Sequence, residues 1–107
     1  MTTFAIARLV DVTMGPEIVE YLERIDATLA PFRGRFRVHG GPYDVVEGNW
    51  SGDVVVLEFP DRGAAREWYA SAAYQAILPL RTNNSSCDVI FIDTVSDDHR
   101  ATDILAS

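Results

Sequence analysis

Two side chains have the chemistry of an acid or a base and stand in unusual surroundings. Glu58 lies near the end of the apolar segment 54–59, and a carboxylate in a dry environment has a raised pKa and can act as a general base. The other interpretation is an ion pair of Glu58 with Arg8 or another arginine, which would fix how two subunits meet. His39 precedes two glycines, and its ordinary pKa suits acid–base work. The alternative for His39 is an exposed histidine on an edge strand.

Four further residues are candidates for holding a substrate. Arg8 and Arg81 each present a fork of donors that suits a carboxylate or an enolate, although Arg81 would equally suit the carbonyls at a helix end. Trp50 and Tyr74 are candidates for lining a pocket, with core packing as the alternative. No histidine or cysteine pair has metal-site spacing, and no phosphate loop or nucleophile elbow is present. We therefore expect neither a metal nor a cofactor.

The composition limits the partners. The chain of 107 residues carries 9 Lys and Arg against 16 Asp and Glu, a formal net charge of -7. A surface of that sign repels nucleic acid and anionic membranes. All the basic residues are arginines, which excludes Schiff-base chemistry on lysine. Because the sequence has one cysteine, no signal-peptide pattern and no membrane-length apolar run, we expect a cytoplasmic protein.

The elements that must position these residues follow the order β-α-β twice. This order predicts an α+β fold, the ferredoxin-like βαββαβ subunit, with a four-stranded antiparallel sheet and the helices on one face. Strict alternation in residues 35–39 places Phe36 and Val38 on one face of a strand. The predicted strands are residues 4–12, 35–39 continued by 43–47, 54–59 and 89–95, and the predicted helices follow Pro16, Asp61 and Ser71.

One subunit cannot cover both faces of such a sheet. Residues 54–59 are apolar on both sides, so the face without helices would expose Val54 and Val56, together with Phe4, Ile6 and Phe91. An apolar patch of this kind marks an interface. We therefore expect a homodimer in which two sheets pack into a dimeric α/β barrel, with the ligand pocket in its lumen. The alternative is a monomer whose C-terminal tail covers this face.

Five segments carry a resemblance to a known family: residues 35–41, 47–50, 55–60, 64–69 and 71–81. They resemble the family catalogued as domain of unknown function thirteen-thirty, in the dimeric α/β-barrel superfamily. The resemblance covers about residues 3–95 and implies a ferredoxin-like subunit in a barrel-forming dimer. Superfamily relatives include cofactor-free quinol-type monooxygenases, muconolactone isomerase-like enzymes and haem-binding proteins. The chain departs from the family pattern at Arg33, where a glycine is common, and at His39, where an arginine is common.

Two hypotheses for the function follow. The first is a cofactor-independent enzyme, monooxygenase- or isomerase-like, that acts on a small hydrophobic or aromatic acid or an enolisable carbonyl. Glu58 or His39 would then be the base and Arg8 or Arg81 the anion anchor, beside Trp50 or Tyr74. The second is a non-catalytic, ligand-binding or stress-related homodimer. In both, residues 1–95 form the domain and residues 96–107 a polar tail.

Overall fold

The computed structural model describes residues 1–106, which form one four-stranded antiparallel sheet with helices packed on one face. The strands are β1 (Thr3–Val10), β2 (Arg35–Gly40), β3 (Asp53–Phe59) and β4 (Ser86–Asp93), and the helices are α1 (Pro16–Leu29), α2 (Arg62–Ala70) and α3 (Ala72–Thr82). The strand order is β2-β3-β1-β4, which is the ferredoxin-like order, so the predicted α+β fold is confirmed. Two short 3-10 helices, Ala30–Phe32 and Ala101–Ala106, follow α1 and β4.

Each helix begins at the residue that the sequence predicts. Pro16 occupies the first turn of α1, where its missing N–H has no intrahelical partner to lose. The Asp61 carboxylate accepts the backbone N–H of Ala64 at 2.7 Å, and the Ser71 hydroxyl accepts that of Tyr74 at 3.2 Å. Both side chains therefore act as N-caps, which satisfy amides that the helices leave without partners.

The core lies between the helices and one face of the sheet. Alternation places Leu57 and Phe59 of β3 on this face, and both are buried. The Phe59 ring lies 5.4 Å from Trp68 of α2, and Trp68 lies 4.0 Å from Tyr74 of α3. The Trp68 indole N–H donates to the hydroxyl of Thr28 at 3.0 Å. The core is thus built on aromatic contacts, and its buried indole has a hydrogen-bond partner.

The predicted alternation in β2 is wrong, because the strand carries a bulge. Phe36 pairs with Leu57 while Val38 pairs with Val56, so the two side chains face opposite sides of the sheet. The extra residue at the bulge shifts every later side chain to the other face. His39 therefore pairs with Val55 and turns towards the helices.

The predicted continuation of β2 through residues 43–47 is also wrong. The pairing of β2 with β3 ends at Gly40, whose φ of 97° turns the chain away from the sheet. Pro42 follows and has no N–H to donate to a ladder. Residues 41–52 consequently form an irregular loop, which we call the β2–β3 arm.

The other sheet face carries no helix and is called the open face below. It holds Ile6 beside Val56 on one side and Ile90 on the other, and Ile90 is 54% exposed. The prediction for Phe91 is wrong, since Phe91 pairs with Ala5 and packs 6.2 Å from Tyr69 on the helix side. The open face consists of Phe4, Ile6, Arg8, Val38, Val54, Val56, Glu58, Asp88, Ile90 and Ile92.

The turn into β2 has little room for side chains. Arg33 adopts a φ of 58°, the left-handed region that favours glycine, at the position where the resembling family commonly has one. The next amide, of Gly34, donates to the carbonyl of Leu29 at 3.1 Å. A Cβ on Gly34 would lie 2.6 Å from Phe59 Cε1 and 2.7 Å from Leu29 Cδ2. Gly34 is therefore required by close packing.

We expect Gly34→Ala to lower the free energy of unfolding by about 1–3 kcal/mol, because the added methyl overpacks the buried Phe59 ring. Urea denaturation measures this difference. Gly15→Ala is the control, since a Cβ there meets no atom within 4 Å and the backbone is extended; it should cost less than about 1 kcal/mol. Equal losses in both variants would contradict the packing argument.

Candidate functional site

A cavity of about 290 Å³ lies inside the subunit, between the sheet and the helices. One wall is β1, where the small side chains of Ala5 and Ala7 leave space above the sheet. The facing wall contains Ile18 and Ile25 of α1 and the aromatic rings of α2 and α3. A cavity of about 150 Å³ holds benzene in another protein, so this space accommodates a ligand of about two rings.

A polar cluster of Tyr21, Tyr74 and Arg81 interrupts this apolar lining. The hydroxyls of Tyr21 and Tyr74 lie 2.7 Å apart, and Arg81 Nη2 donates to the Tyr74 hydroxyl over 3.4 Å. The Arg81 guanidinium carbon also lies 5.9 Å from the centre of the Tyr21 ring. Arg81 is only 7% exposed, and no carboxylate of residues 1–106 forms an ion pair with it. The cluster therefore places a positive charge without an ion-paired carboxylate beside an apolar cavity.

The surroundings fix the protonation states of this cluster. Burial raises the pKa of the Tyr21 phenol well above its usual range, and the adjacent Tyr74 adds to that rise. Burial alone would lower the pKa of Arg81, but the tyrosine oxygens outweigh it and the pKa of Arg81 rises. Tyr21 is accordingly a neutral hydroxyl and Arg81 a cation at neutral pH. A buried cation costs free energy unless an anion or hydrogen bonds compensate it.

The exposed residues among those lining the cavity mark where it meets solvent. His39, Met14 and Asp53 are all exposed and lie at this rim. The His39 ring stacks on Phe36 at 4.5 Å between ring centres. The β2 bulge brings His39 to the rim, since without the extra residue its side chain would point to the open face.

The structure brings three of the six predicted site residues together. His39, Tyr74 and Arg81 line the cavity, whereas Glu58, Arg8 and Trp50 lie outside it. The sequence places the ligand pocket in the lumen between two sheets, whereas this cavity lies within one subunit. The cavity lies on the helix side of the sheet, and alternation along β3 and β1 directs Glu58 and Arg8 to the open face.

Glu58 and Arg8 are not paired with each other on that face. Glu58 lies opposite Phe4, four residues along β1 from Arg8. The Glu58 carboxylate accepts from Arg35 at 2.8 Å and lies 3.5 Å from Arg37. Glu58 thus has the ion pair of its alternative interpretation, with two arginines of β2 instead of Arg8.

Arg8 and Trp50 contact one another at the far end of the open face. Arg8 donates to the carbonyl and the hydroxyl of Ser51, both at 3.0 Å, and its guanidinium lies 5.6 Å from the centre of the Trp50 ring. These contacts hold the β2–β3 arm against the sheet. Neither residue is positioned to touch a ligand in the helix-side cavity.

Sequence reasoning missed Tyr21. The signal was present, because Tyr21 lies three residues after Ile18 and four before Ile25, on the apolar side of α1. The aliphatic repeat Ile18, Leu22, Ile25 and Leu29 instead predicts Leu22 on the buried side, but Leu22 is 40% exposed at the edge of the cavity. A tyrosine on a buried helix face needs a hydrogen-bond partner, and Tyr74 supplies it.

Within residues 1–106, no group of three or more His, Cys, Asp or Glu side chains is arranged to hold a metal ion. No helix in the same part of the chain combines the length and the hydropathy needed to cross a bilayer. The polar side chains that line the cavity are those of the cluster and the rim, together with the Tyr69 hydroxyl and the Trp68 indole.

The family model for the domain of unknown function DUF1330 matches residues 2–95. The chain belongs to this family. The match confirms the resemblance seen in the sequence and spans all four strands and the three helices of the sheet domain. No curated protein matches the chain.

Solved structures share the fold at low sequence identity. RPA0582, a protein of unknown function from Rhodopseudomonas palustris, has a TM-score of 0.68 at 14% identity, covering 89% of this chain and 83% of that one. A dimeric ferredoxin-like protein of unknown function from Jannaschia has 0.68 at 15%, covering 88% and 100%. SnoaB, a cofactor-independent oxygenase from Streptomyces nogalater, has 0.60 at 15%, covering 92% and 98%.

We expect Tyr21 to ionise later than an exposed tyrosine in an alkaline titration followed by phenolate absorbance. Its folded pKa lies above the ordinary value of 10.0. The neutral phenol therefore contributes stability that is fully present below pH 10 and is lost as the pH rises further. Tyr21→Phe should remove a late component of this titration. A late component of unchanged size in Tyr21→Phe would contradict this assignment.

Proposed function

We propose that the protein binds a small, mainly apolar monoanion or enolisable carbonyl in the helix-side cavity and acts on it as a cofactor-independent enzyme. The observation that carries this proposal is the buried Arg81 cation beside an apolar cavity, with no ion-paired carboxylate among residues 1–106. A ligand anion would supply the missing charge, and the apolar walls would cover the rest of the ligand.

The arrangement is suited to chemistry on a carbonyl compound. Arg81 and the Tyr74 hydroxyl would hold the carbonyl oxygen and stabilise negative charge that develops on it. His39 would accept the proton from the adjacent carbon, which leaves an enolate on Arg81. In a substrate with a conjugated double bond, return of the proton from His39 to the far carbon isomerises the substrate. In the oxygenase route, the enolate carbon forms a bond to dioxygen, the second substrate, which is reduced to the peroxide level, and the proton on His39 completes a hydroperoxide. The similar Streptomyces protein is a cofactor-independent oxygenase.

We further propose that the protein is a homodimer whose open faces meet. The open face exposes Val38, Ile90 and Ile92 by about half, and two such faces would cover each other. Glu58, paired with Arg35 and Arg37 at the edge of this face, then has a structural role in the dimer. It does not act as the base of the reaction.

Naphthoate tests the anion site, because its two rings suit the cavity and its carboxylate suits Arg81. Calorimetry should show binding to the wild type that is about tenfold or more stronger than binding of the uncharged naphthylmethanol. Arg81→Met should lose this preference, since the charge-assisted hydrogen bonds disappear. Tyr74→Phe should lose part of it while keeping the ring that packs on Trp68.

The matched control is Arg66→Met, which removes the same charge from an exposed position on α2 and should leave naphthoate affinity unchanged. Equal affinity for naphthoate and naphthylmethanol in the wild type would contradict the anion site. Equal affinity of the Arg81 variant and the wild type for naphthoate would contradict it as well.

The enzymatic hypothesis predicts exchange of the acidic protons of a bicyclic enolisable ketone, tetralone, with deuterium in heavy water. NMR should show exchange faster than in buffer alone, and His39→Ala should slow the catalysed part by about a hundredfold, the usual contribution of a general base. Glu58→Gln, compared at a concentration at which the variant is still a dimer, should leave the rate unchanged, because its carboxylate lies on the other face.

Exchange at the buffer rate, with naphthoate still bound, would contradict the enzymatic hypothesis for this class of carbonyl. It would favour the non-catalytic, ligand-binding homodimer. If Glu58→Gln loses exchange and His39→Ala does not, the base is Glu58 on the open face and not His39 at the cavity rim.

A further inference from the structure

The β2–β3 arm, residues 41–52, exposes apolar side chains in a way that loops seldom do. Val46 is 89% exposed, and Tyr43, Val45 and Trp50 are each exposed by about half. Connecting segments usually present polar residues to water. A cluster of apolar side chains at one end of the molecule is therefore a candidate contact surface.

The arm is held in a defined shape in spite of having no helix or strand. Its C-terminal end is fixed by Arg8, which donates to Ser51 at two atoms and stacks on Trp50. Its two ends are joined by Tyr43, whose hydroxyl donates to the carbonyl of Gly52 at 2.9 Å. A surface ordered before binding costs less entropy when a partner docks on it.

The apolar surface of the arm is continuous with the open face. A hollow of about 220 Å³ contains the acidic arm residues Asp44 and Glu47 at its wall, but most of its lining is apolar or aromatic: Tyr43, Val45, Val46 and Trp50 of the arm and Val54 of the open face. Arg8, which holds the arm, belongs to the same face. A second copy that covers the open face would therefore meet the arm as well.

The chain is less compact than a rounded domain of its length. Its radius of gyration is 15.4 Å, whereas a compact domain of about this length has a value near 13 Å. An ordered, largely apolar arm beside an uncovered sheet face is typical of a chain that completes its packing on a second copy of itself.

The arm also borders the helix-side cavity. It begins directly after Gly40 and ends one residue before Asp53, and both of these residues line the cavity rim together with His39. Any contact that fixes the arm therefore fixes the backbone of the rim at both ends. In one subunit Arg8 and Tyr43 restrain the arm, and contacts with a second copy would restrain this opening further.

We propose that the β2–β3 arm of each subunit docks on the second copy, and that dimer formation thereby holds the rim of the cavity in its ligand-binding shape. The inference rests on the homodimer and the cavity proposed above, and it adds that the two are linked. By thermodynamic reciprocity, a ligand that favours the ordered rim strengthens the dimer by the same factor by which dimer formation strengthens ligand binding.

Val46→Glu tests the inference, because Val46 is almost fully exposed in the subunit and the substitution removes no core contact. Sedimentation over a concentration series should show a dimer dissociation constant raised about tenfold or more, since two charges would enter an apolar contact. Under conditions in which the wild type is a dimer and the variant is not, naphthoate affinity should fall. Added naphthoate should shift the wild type further towards dimer.

Val19→Glu is the matched control, with the same change at a half-exposed position on the outer side of α1, and both readouts should stay at the wild-type value. An unchanged dimer in Val46→Glu would overturn the docking of the arm. A weakened dimer with unchanged naphthoate affinity would overturn the link to the cavity. If the wild type fails to bind naphthoate, the proposed anion site is wrong. The dimer dissociation constant of Val46→Glu still decides in that case whether the arm docks on a second copy.

Discussion

The buried charge of Arg81 is the constraint on which the functional account depends. A guanidinium removed from water and without an ion-paired carboxylate is costly, and tyrosine hydroxyls compensate it only in part, one of them across 3.4 Å. Close packing by apolar side chains alone would leave that charge poorly satisfied. The structure instead has a cavity beside it, large enough for about two rings. The combination favours a ligand with one anionic oxygen group and an apolar body.

The two faces of the sheet therefore have different roles in this account. The helix face holds the cavity, the polar cluster and His39, while the open face holds apolar residues, Glu58 and Arg8. A single extra residue in β2 decides on which face His39 lies, because the bulge between Phe36 and Val38 turns the imidazole towards the cavity. The same irregular edge leads into the arm that we propose to dock on a second copy.

Much of the fold could be predicted from the sequence, because it depends on local patterns. Alternation in β3 correctly separates Leu57 and Phe59 from Val56 and Glu58, and both predicted N-caps are present. The bulge could not be predicted, since residues 35–39 alternate in sequence as a regular strand would. The position of the cavity was missed for a related reason. Its room comes from the alanines of β1 and from side chains that meet across elements, which no local pattern encodes.

The site was predicted in part, through residues whose chemistry is visible without their neighbours. The sequence identifies Tyr74 as an aromatic candidate and Arg81 as a cation. Tyr21 joins their cluster only because α1 packs against α3, which no local pattern predicts. The sequence favours Glu58 as a base because it is a carboxylate in an apolar strand. The arginines that pair with it come from the neighbouring strand β2, so the ion pairs are visible only in the structure. Pairing between elements therefore decides which charged residue is available to a ligand.

The most direct test of the anion site is a crystal structure with a bound bromonaphthoate, whose bromine is located by its anomalous signal. The account predicts the bromine between β1 and α1, on the rim side of the cavity, with the carboxylate against Arg81 and Tyr74. A ligand seated on the open face beside Arg8 and Trp50, or a carboxylate pointing to solvent with Arg81 untouched, would contradict it.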